Sequence, residues 1–497
     1  MKKQVACLAL IGAMSYPVFS ENVPEDLLVG GSYLVQANGQ AGIDDLIVAI
    51  EELTPEGSEV AATELIPGSF IYHITYLEVD SFIGDQVGER IELLTNGTTL
   101  NWSESDYLFG YDEDSEGQSG SLWVSGLGLS SANFLNQYAF NQLELKSAHQ
   151  RSQGEGVLIA VIDTMPDTRH PGLKPLLKTI DLVNMGSDPG DQLTGNRLDD
   201  DGDGHIDEAL GHGTFVTGLI QATAPKAGVM AIAVLNDDGI GSAANLALGI
   251  MLAIENGAHI ISLSLGSETE SLAVSSVLEY AAESGVTVFA AVGNTGTWGC
   301  LFPARHPKVV SVGANDHAMQ LSPVSSYHAE MNMVAPGSSV IIYNGVDDER
   351  MVVGPTVGEQ YVAGTGTSFS TAFAAGTGAL IRAQLTDLES NQMNLGELGT
   401  KIRKRMTQGP NHVEFPNESG QTRAVLEALQ ATDYADPVPQ DSDVNGDGVA
   451  DGADLAMVLG RWGGLFSSGE LHREDIERDG IVDGQDLARL LGGWGSP

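Results

Sequence analysis

Five short runs of apolar residues constrain the fold of most of this chain: Val157–Ile162, Val229–Leu235, Ile260–Leu265, Val286–Val292 and Val309–Val312. A strand with one face in water alternates apolar and polar residues, whereas a run with little alternation is expected of a strand covered on both faces. Segments with helical character, Ala243–Glu255 and Leu272–Glu283, lie between them. Alternation of this kind predicts an α/β domain, a parallel sheet with helices on both faces. In such sheets the loops at the carboxyl ends of the strands gather ligands. Residues just past each run are therefore the first candidates for a site.

Three motifs, widely separated in the chain, supply chemistry. Val-Ile-Asp-Thr ends the first run at Asp163–Thr164, Gly211-His-Gly-Thr surrounds His212, and Gly366-Thr-Ser-Phe-Ser-Thr-Ala surrounds Ser368. Serine is a poor nucleophile at neutral pH. It needs an imidazole to take its proton and a carboxylate to orient that imidazole. Each motif alone is more often a helix cap, a loop or a turn. Together they are an acid, a base and a hydroxyl in a defined order. His212 is expected to open a helix continuing through Leu219, and Ser368 to stand before a small-residue helix over Thr371–Leu385. A helix start offers unpaired N–H groups and a positive dipole end to a developing oxyanion.

The order Asp, His, Ser is that of subtilisin. At these residues the chain resembles the subtilisin-like serine proteases (subtilases), over roughly Tyr138 to Ala428. The resemblance implies that Ser368 attacks a peptide carbonyl, that His212 acts as base and then acid, and that Asp163 holds the imidazole. It also implies that Asn294, in Ala-Ala-Val-Gly-Asn-Thr-Gly, donates its amide to the oxyanion. Gly239 and Gly241, and Ser264, Leu265 and Gly266, match two edges that pair with substrate backbone as added strands. Ala291, Val292 and Gly293 match the facing wall of the primary specificity pocket, with Leu301 near its floor. Phe302-Pro-Ala-Arg-His-Pro-Lys-Val and Val334-Ala-Pro-Gly337 match further family segments. The chain departs from the family in three places. Met165 stands where glycine usually follows Asp-Thr, Ala372-Phe373 replaces Pro-His after the nucleophile, and a calcium loop often inserted after the histidine helix is missing. The competing reading is an inactive protease fold that serves as a binding or scaffold protein targeted by its tail. The intact four-residue set speaks against it.

The flanks divide the chain further. Lys2 and Lys3 followed by apolar Val5–Met14, with Val18 and Ser20 before Glu21, read as a signal peptide over 1–20 and predict a secreted, extracellular protein. Residues 21–116 read as a small α+β unit: strands over Ser32–Gln36 and Phe70–Val79, and a helix over Ile43–Leu53. By the resemblance this is an inhibitory prodomain. Residues 117–137 read as a linker or processing region, 138–432 as the catalytic domain, with Thr422–Ala431 as its closing helix, and 433–442 as a linker. Lys401–Arg405, the one basic cluster, reads as a solvated helix face. Cys7 falls in the signal, leaving Cys300 without a partner for a disulfide.

The formal net charge of −44 argues against nucleic acid as a partner, and no run is long enough to insert in a membrane. Some of the acidity is organised. Asp443, Asn445, Asp447, Val449, Asp451 and Asp454 stand at places 1, 3, 5, 7, 9 and 12 of a loop with Gly448 at place 6. Oxygen donors at that rhythm wrap a calcium ion. Asp475, Glu477, Asp479, Ile481, Asp483 and Asp486 repeat it with Gly480. The duplicated pair, each loop followed by a short Leu-rich helix ending in Trp462 or Trp494, resembles a dockerin-type module over 443–497, a small helical EF-hand-like unit. That resemblance implies two calcium ions and a cohesin-like or cell-surface partner. A third acidic loop, with Asp199, Asp201, Asp203 and Asp207, also suits one calcium ion. No organic cofactor is expected.

Overall fold

The computed structural model describes residues 29–51, 53, 60–66, 69–78, 100–105, 108–109, 122–124, 127–184, 195–199, 205–338, 352–385, 395–408, 410–415, 422–433, 455 and 457–459. The predicted signal, the 434–442 linker and both acidic loops of the C-terminal module lie outside these residues. The chain forms two units, Met1–Ala431 and Thr432–Pro497. Within the second, Val458 is buried and Leu459 is exposed. Among the described residues no helix is long and apolar enough to cross a membrane.

The first unit begins with β1 (Val29–Ala37), α1 (Gln40–Glu51), β2 (Ala61–Ile66), β3 (Ile71–Glu78) and β4 (Leu100–Ser105). The strands form an antiparallel sheet in the order β2-β3-β1-β4. Helix α1 covers one face, with Ile43, Leu46, Ile47 and Ile50 packed on Val35, Tyr72 and Ile74. Two short strands follow, β5 (Leu108–Phe109) and β6 (Leu122–Val124), and then three short helices, α2 (Ser131–Leu135), α3 (Tyr138–Gln142) and α4 (Leu145–Ala148). Residues 117–137, expected as a linker, thus contain β6 and α2. Phe134 of α2 is buried, and the Gln137 amide donates to the Phe134 and Val353 carbonyls at 2.9 Å each.

The apolar runs form the predicted sheet. After β7 (Leu158–Asp163) come β8 (Lys178–Asp181), α5 (His212–Thr223), β9 (Gly228–Ala233), β10 (Gly241–Ser242), α6 (Ala243–Glu255), β11 (Ile260–Leu263), α7 (Leu272–Glu283), β12 (Thr287–Ala291), β13 (Val309–Asn315) and β14 (Met333–Pro336). The chain continues through β15 (Val352–Thr356), β16 (Gln360–Thr365), α8 (Thr367–Gln384), α9 (Leu398–Met406), β17 (His412–Glu414), β18 (Thr422–Val425) and α10 (Ala428–Asp433). Nine strands lie in the order β17-β18-β14-β13-β12-β11-β7-β9-β8. All neighbours are parallel except the edge pair β17–β18. Alternate residues serve opposite faces. Ala160, Ile162, Ile232 and Leu263 pack toward α6 and α7, while Ile159, Val161, Ile260 and Phe289 pack toward α5 and α8.

Local signals set the ends of α6 and α7. Ser242 and Ser271 cap them, each hydroxyl accepting a backbone N–H from Asn245 or Val274 at 3.2 Å. Two expectations are corrected. Thr422–Ala431 is not one helix: Thr422–Val425 is β18, parallel to β14 with Met333 opposite Ala424, and the helix begins only at Ala428. Pairing with a strand about ninety residues earlier in the sequence overrides local propensity there. The basic cluster is not wholly solvated either, since Arg405 is buried and its Nη1 donates to Gln384 Oε1 at 3.5 Å.

Candidate active site

Strand order reverses at β7. The chain first lays the edge strand β8 on one side of it and then β9 between the two, and afterwards builds outward on the other side through β11, β12, β13 and β14. The crevice past the carboxyl ends of β7 and β11 is such a switch point, where parallel sheets bind ligands. Asp163 is the last residue of β7, and Ser264 is the first after β11.

Asp163 and His212 are both withdrawn from solvent, with Asp163 Oδ1 2.8 Å from His212 Nδ1. The same oxygen accepts the Thr164 N–H at 2.8 Å, which fixes the carboxylate. Holding Nδ1 against a carboxylate selects the tautomer with the proton on Nδ1 and leaves Nε2 as the basic nitrogen. His212 is the first residue of α5. The approach is close because Gly213 lacks a side chain, as a Cβ there would collide with the Thr164 carbonyl. The Gly213 N–H instead donates to Thr164 Oγ1 at 3.0 Å, pinning the helix start to the strand end.

Ser368 is the second residue of α8, so the helix starts at Thr367, four residues before the expected Thr371. Its hydroxyl donates to the Ser264 carbonyl at 3.5 Å, and its carbonyl accepts from Ser264 Oγ at 3.1 Å. The next residue, Phe369, ties the two helix starts together. Its ring centroid lies 6.0 Å from the His212 ring and 4.1 Å from that of Phe215. Asn294 follows β12. Its Oδ1 accepts from Thr367 N at 2.8 Å and Thr367 Oγ1 at 3.0 Å. With the oxygen end so engaged, the NH2 end is turned away from Thr367 as the donor end. Thr367 and Phe369 were missed as site residues. Their only sequence signal is that they flank Ser368.

The expected substrate edges are in the same region. Gly241 and Ser242 form β10, paired antiparallel with β5 so that Gly241 is opposite Phe109 and Ser242 opposite Leu108. A turn at Gly239 (φ +81°) precedes it, closed by the Asn236 N–H to the Ile240 carbonyl at 2.9 Å. Leu265 is buried, as are Ala291 and Val292, and Gly293 turns with φ +106°. Its carbonyl accepts from Thr367 Oγ1 at 3.3 Å. On the far side, β6 pairs antiparallel with β16, the strand leading into Ser368, with Leu122 opposite Thr365. Met165, Ala372 and Phe373, the family departures, are all buried.

Of the third acidic loop, Asp201 and Asp203 lie outside the described residues. The Asp207 carboxylate accepts backbone N–H groups from Asn196 and Arg197 at 3.0–3.2 Å. Among the described residues no group of three or more His, Cys, Asp or Glu could hold a metal ion. Cys300 is half-buried, and burial pushes its thiol up to about 12, so it is held as the inert thiol.

Residues 154–415 match the profile described as Subtilase family. This chain belongs to the subtilases. It is 30% identical over 288 residues to the thermostable alkaline protease of Halalkalibacterium halodurans, covering 56% of this chain and 69% of that one. It is 32% identical over 257 residues to subtilisin BL of Lederbergia lenta, covering 49% and 83%. Subtilisin NAT of Bacillus subtilis subsp. natto is 32% identical over 282 residues, covering 52% and 66%. The subtilase is therefore a subtilisin-like serine protease. Residues 441–491 match the dockerin type I domain, so the protease carries a dockerin at its C-terminal side.

Proposed function

We propose that this subtilase is a secreted endopeptidase that cleaves peptide bonds through an acyl-enzyme on Ser368. The observation that carries the reading is the buried 2.8 Å hydrogen bond between Asp163 and His212 at the start of the helix that Phe369 joins to Ser368. His212 Nε2 takes the Ser368 proton as Oγ attacks the carbonyl, and Asp163 stabilises the imidazolium that forms. The Asn294 amide and the first turn of α8 receive the negative charge on the former carbonyl oxygen. His212 then protonates the leaving amine, and water repeats the sequence to free Ser368. Substrate backbone adds as a strand between Gly239–Gly241 and Ser264–Gly266.

Residues 21–116 act in this reading as an inhibitory prodomain on the 138–432 catalytic domain, with 1–20 as signal. Supporting this, β5 occupies β10, one of the edges assigned to substrate, and the antiparallel sheet packs Leu34, Leu65 and Ile71 into the same core as α6. The dockerin binds calcium through Asp443–Asp454 and Asp475–Asp486 and docks on a cohesin-type partner. The rhythm of oxygen donors and the domain match support that assignment. Ser368→Ala tests the chemistry. The variant should keep the far-ultraviolet circular dichroism of the parent and hydrolyse no casein. A variant that still cleaves casein in an inhibitor-sensitive way removes Ser368 as nucleophile.

A further inference from the structure

Phe369 follows Ser368 in the first turn of α8 and, like His212 and Phe215, is fully buried. Phe215 lies three residues after His212, so these two rings share one face of α5. Phe369 packs on both. Its ring centroid is 4.1 Å from that of Phe215, with the planes 31° apart, and 6.0 Å from that of His212, with the planes 40° apart. The strands beneath leave room for this arrangement. Gly354 of β15 stands opposite Val362, and Gly364 of β16 opposite Val352, which puts both glycines on one face of the pair. A Cβ on Gly364 would lie 2.5 Å from Phe369 Cε2, and one on Gly354 would overlap the Phe215 ring. Glycine weakens the interior of a strand and often marks a place that something must approach closely. Here the aromatic pair makes the approach, and its seat fixes how far Phe369 stands from the imidazole.

Few charges reach that imidazole. The main elements packed on α5 are α8, β15 and β7. Strand β15 carries no ionisable side chain, and β7 carries only Asp163. On α8 the one such group is Arg382, fourteen residues past Ser368 (382 − 368) and so about 20 Å along the helix. In the loop after β7, the Asp167 N–H donates to Thr214 Oγ1 at 2.9 Å, and its carboxylate accepts the Arg169 and Gly358 N–H groups at 3.0 and 3.3 Å. Proton transfer from Ser368 places a positive charge on a His212 ring withdrawn from water. An aromatic face carries negative partial charge and attracts a cation within about 6 Å of its centroid. We propose that Phe369 is a positioning residue for the reaction: its ring holds His212 against Asp163 and stabilises the imidazolium formed as Ser368 attacks. The proposal rests on the acyl-enzyme reading of Ser368 and extends it. An aliphatic side chain would fill much of the seat without supplying the ring's face.

The test uses the processed protein, its active sites counted by phosphonate titration, and follows kcat and kcat/KM on one tetrapeptide p-nitroanilide as a function of pH. The acid limb of the kcat/KM profile reports the base of the free enzyme. In Phe369→Leu the imidazolium should give up its proton more readily, moving that limb about half a unit to one unit to lower pH. The plateau kcat should fall about three- to tenfold with KM little changed, because the imidazolium of the transition state has lost a partner. Difluorophenylalanine in place of Phe369 keeps the shape of the ring and weakens its face, so it should move the limb the same way by a smaller step. It carries the test if the leucine variant does not fold. A difluoro enzyme whose limb coincides with the parent's overturns the proposal, since the ring then only fills space. So does a leucine variant that loses kcat with the limb unmoved. A parent that neither cleaves the substrate nor labels with phosphonate would bring down the acyl-enzyme reading itself, and this proposal with it.

Discussion

The nine-stranded parallel sheet and the four-stranded antiparallel sheet solve the covering problem differently. In the large sheet β11, β12, β13 and β14 are buried along their whole lengths, and helices of the same domain cover both faces. The small sheet has its own helix on one face only. Its other face meets α6 through Leu34, Leu65 and Ile71. The large sheet can therefore hold Asp163, His212, Asn294 and Ser368 in place by itself, and the small one depends on its neighbour for half its burial. That dependence fits the removable inhibitor proposed for residues 21–116, and the self-covered sheet fits a site that must not move.

That contrast can be sharpened in order of expected effect. Asn294→Ala lies beside the large sheet and removes the side chain proposed as oxyanion donor. It should cut kcat by about 10²–10³, or about 2.7–4 kcal/mol of transition-state stabilisation, without lowering the melting temperature of the small sheet. Steady-state kinetics and calorimetry together check it, and equal losses in both would break the contrast. Ile50→Ala lies in the small core, where Ile50 is fully buried. The loss should be about 2–5 kcal/mol of that unit's stability, with faster release from inhibition and an unchanged kcat after processing. A lowered kcat in the processed enzyme would mean that the small sheet shapes the site. The smallest effect concerns acid stability. Burial holds the His259 imidazole below its ordinary value, with nearby Arg382 adding to this, and its Nδ1 accepts the Leu158 N–H at 3.0 Å. The unfolded chain then takes up a proton where the folded one does not. Stability from this group is complete above about pH 6.5 and is lost as pH falls through the depressed folded value. His259→Asn, which keeps an acceptor but does not titrate, should flatten the fall in melting temperature below about pH 6.5 relative to the parent. A parallel fall in both proteins would mean that His259 does not contribute to the acid sensitivity.

The same contrast governs what could be read from residues alone. Helices α6 and α7 stand at the boundaries expected for them because serine caps mark their starts. The central strands were legible because burial on both faces leaves long apolar runs. Helix α8 was misplaced by four residues at its start. From Thr367 to Ile381 it is buried on every side, so it carries no amphipathic period, and Gly366-Thr-Ser reads locally as a turn. Strands β15 and β16, and β18 with its partner β17, were not anticipated, since short strands of mixed composition owe their existence to distant neighbours. The chemical groups of the candidate site were legible as motifs. Their supports were not: Thr367 orienting Asn294, Phe369 joining two helix starts and Ser264 engaging Ser368 are contacts across 73, 157 and 104 residues.

The most direct test of Ser368 as the nucleophile is to treat the processed protein with a fluorophosphonate and locate the adduct by mass spectrometry. One adduct is expected, on Ser368, and it should be lost when His212 is replaced by alanine in a folded variant. An adduct on any other serine, or undiminished labelling of Ser368 without His212, would contradict it.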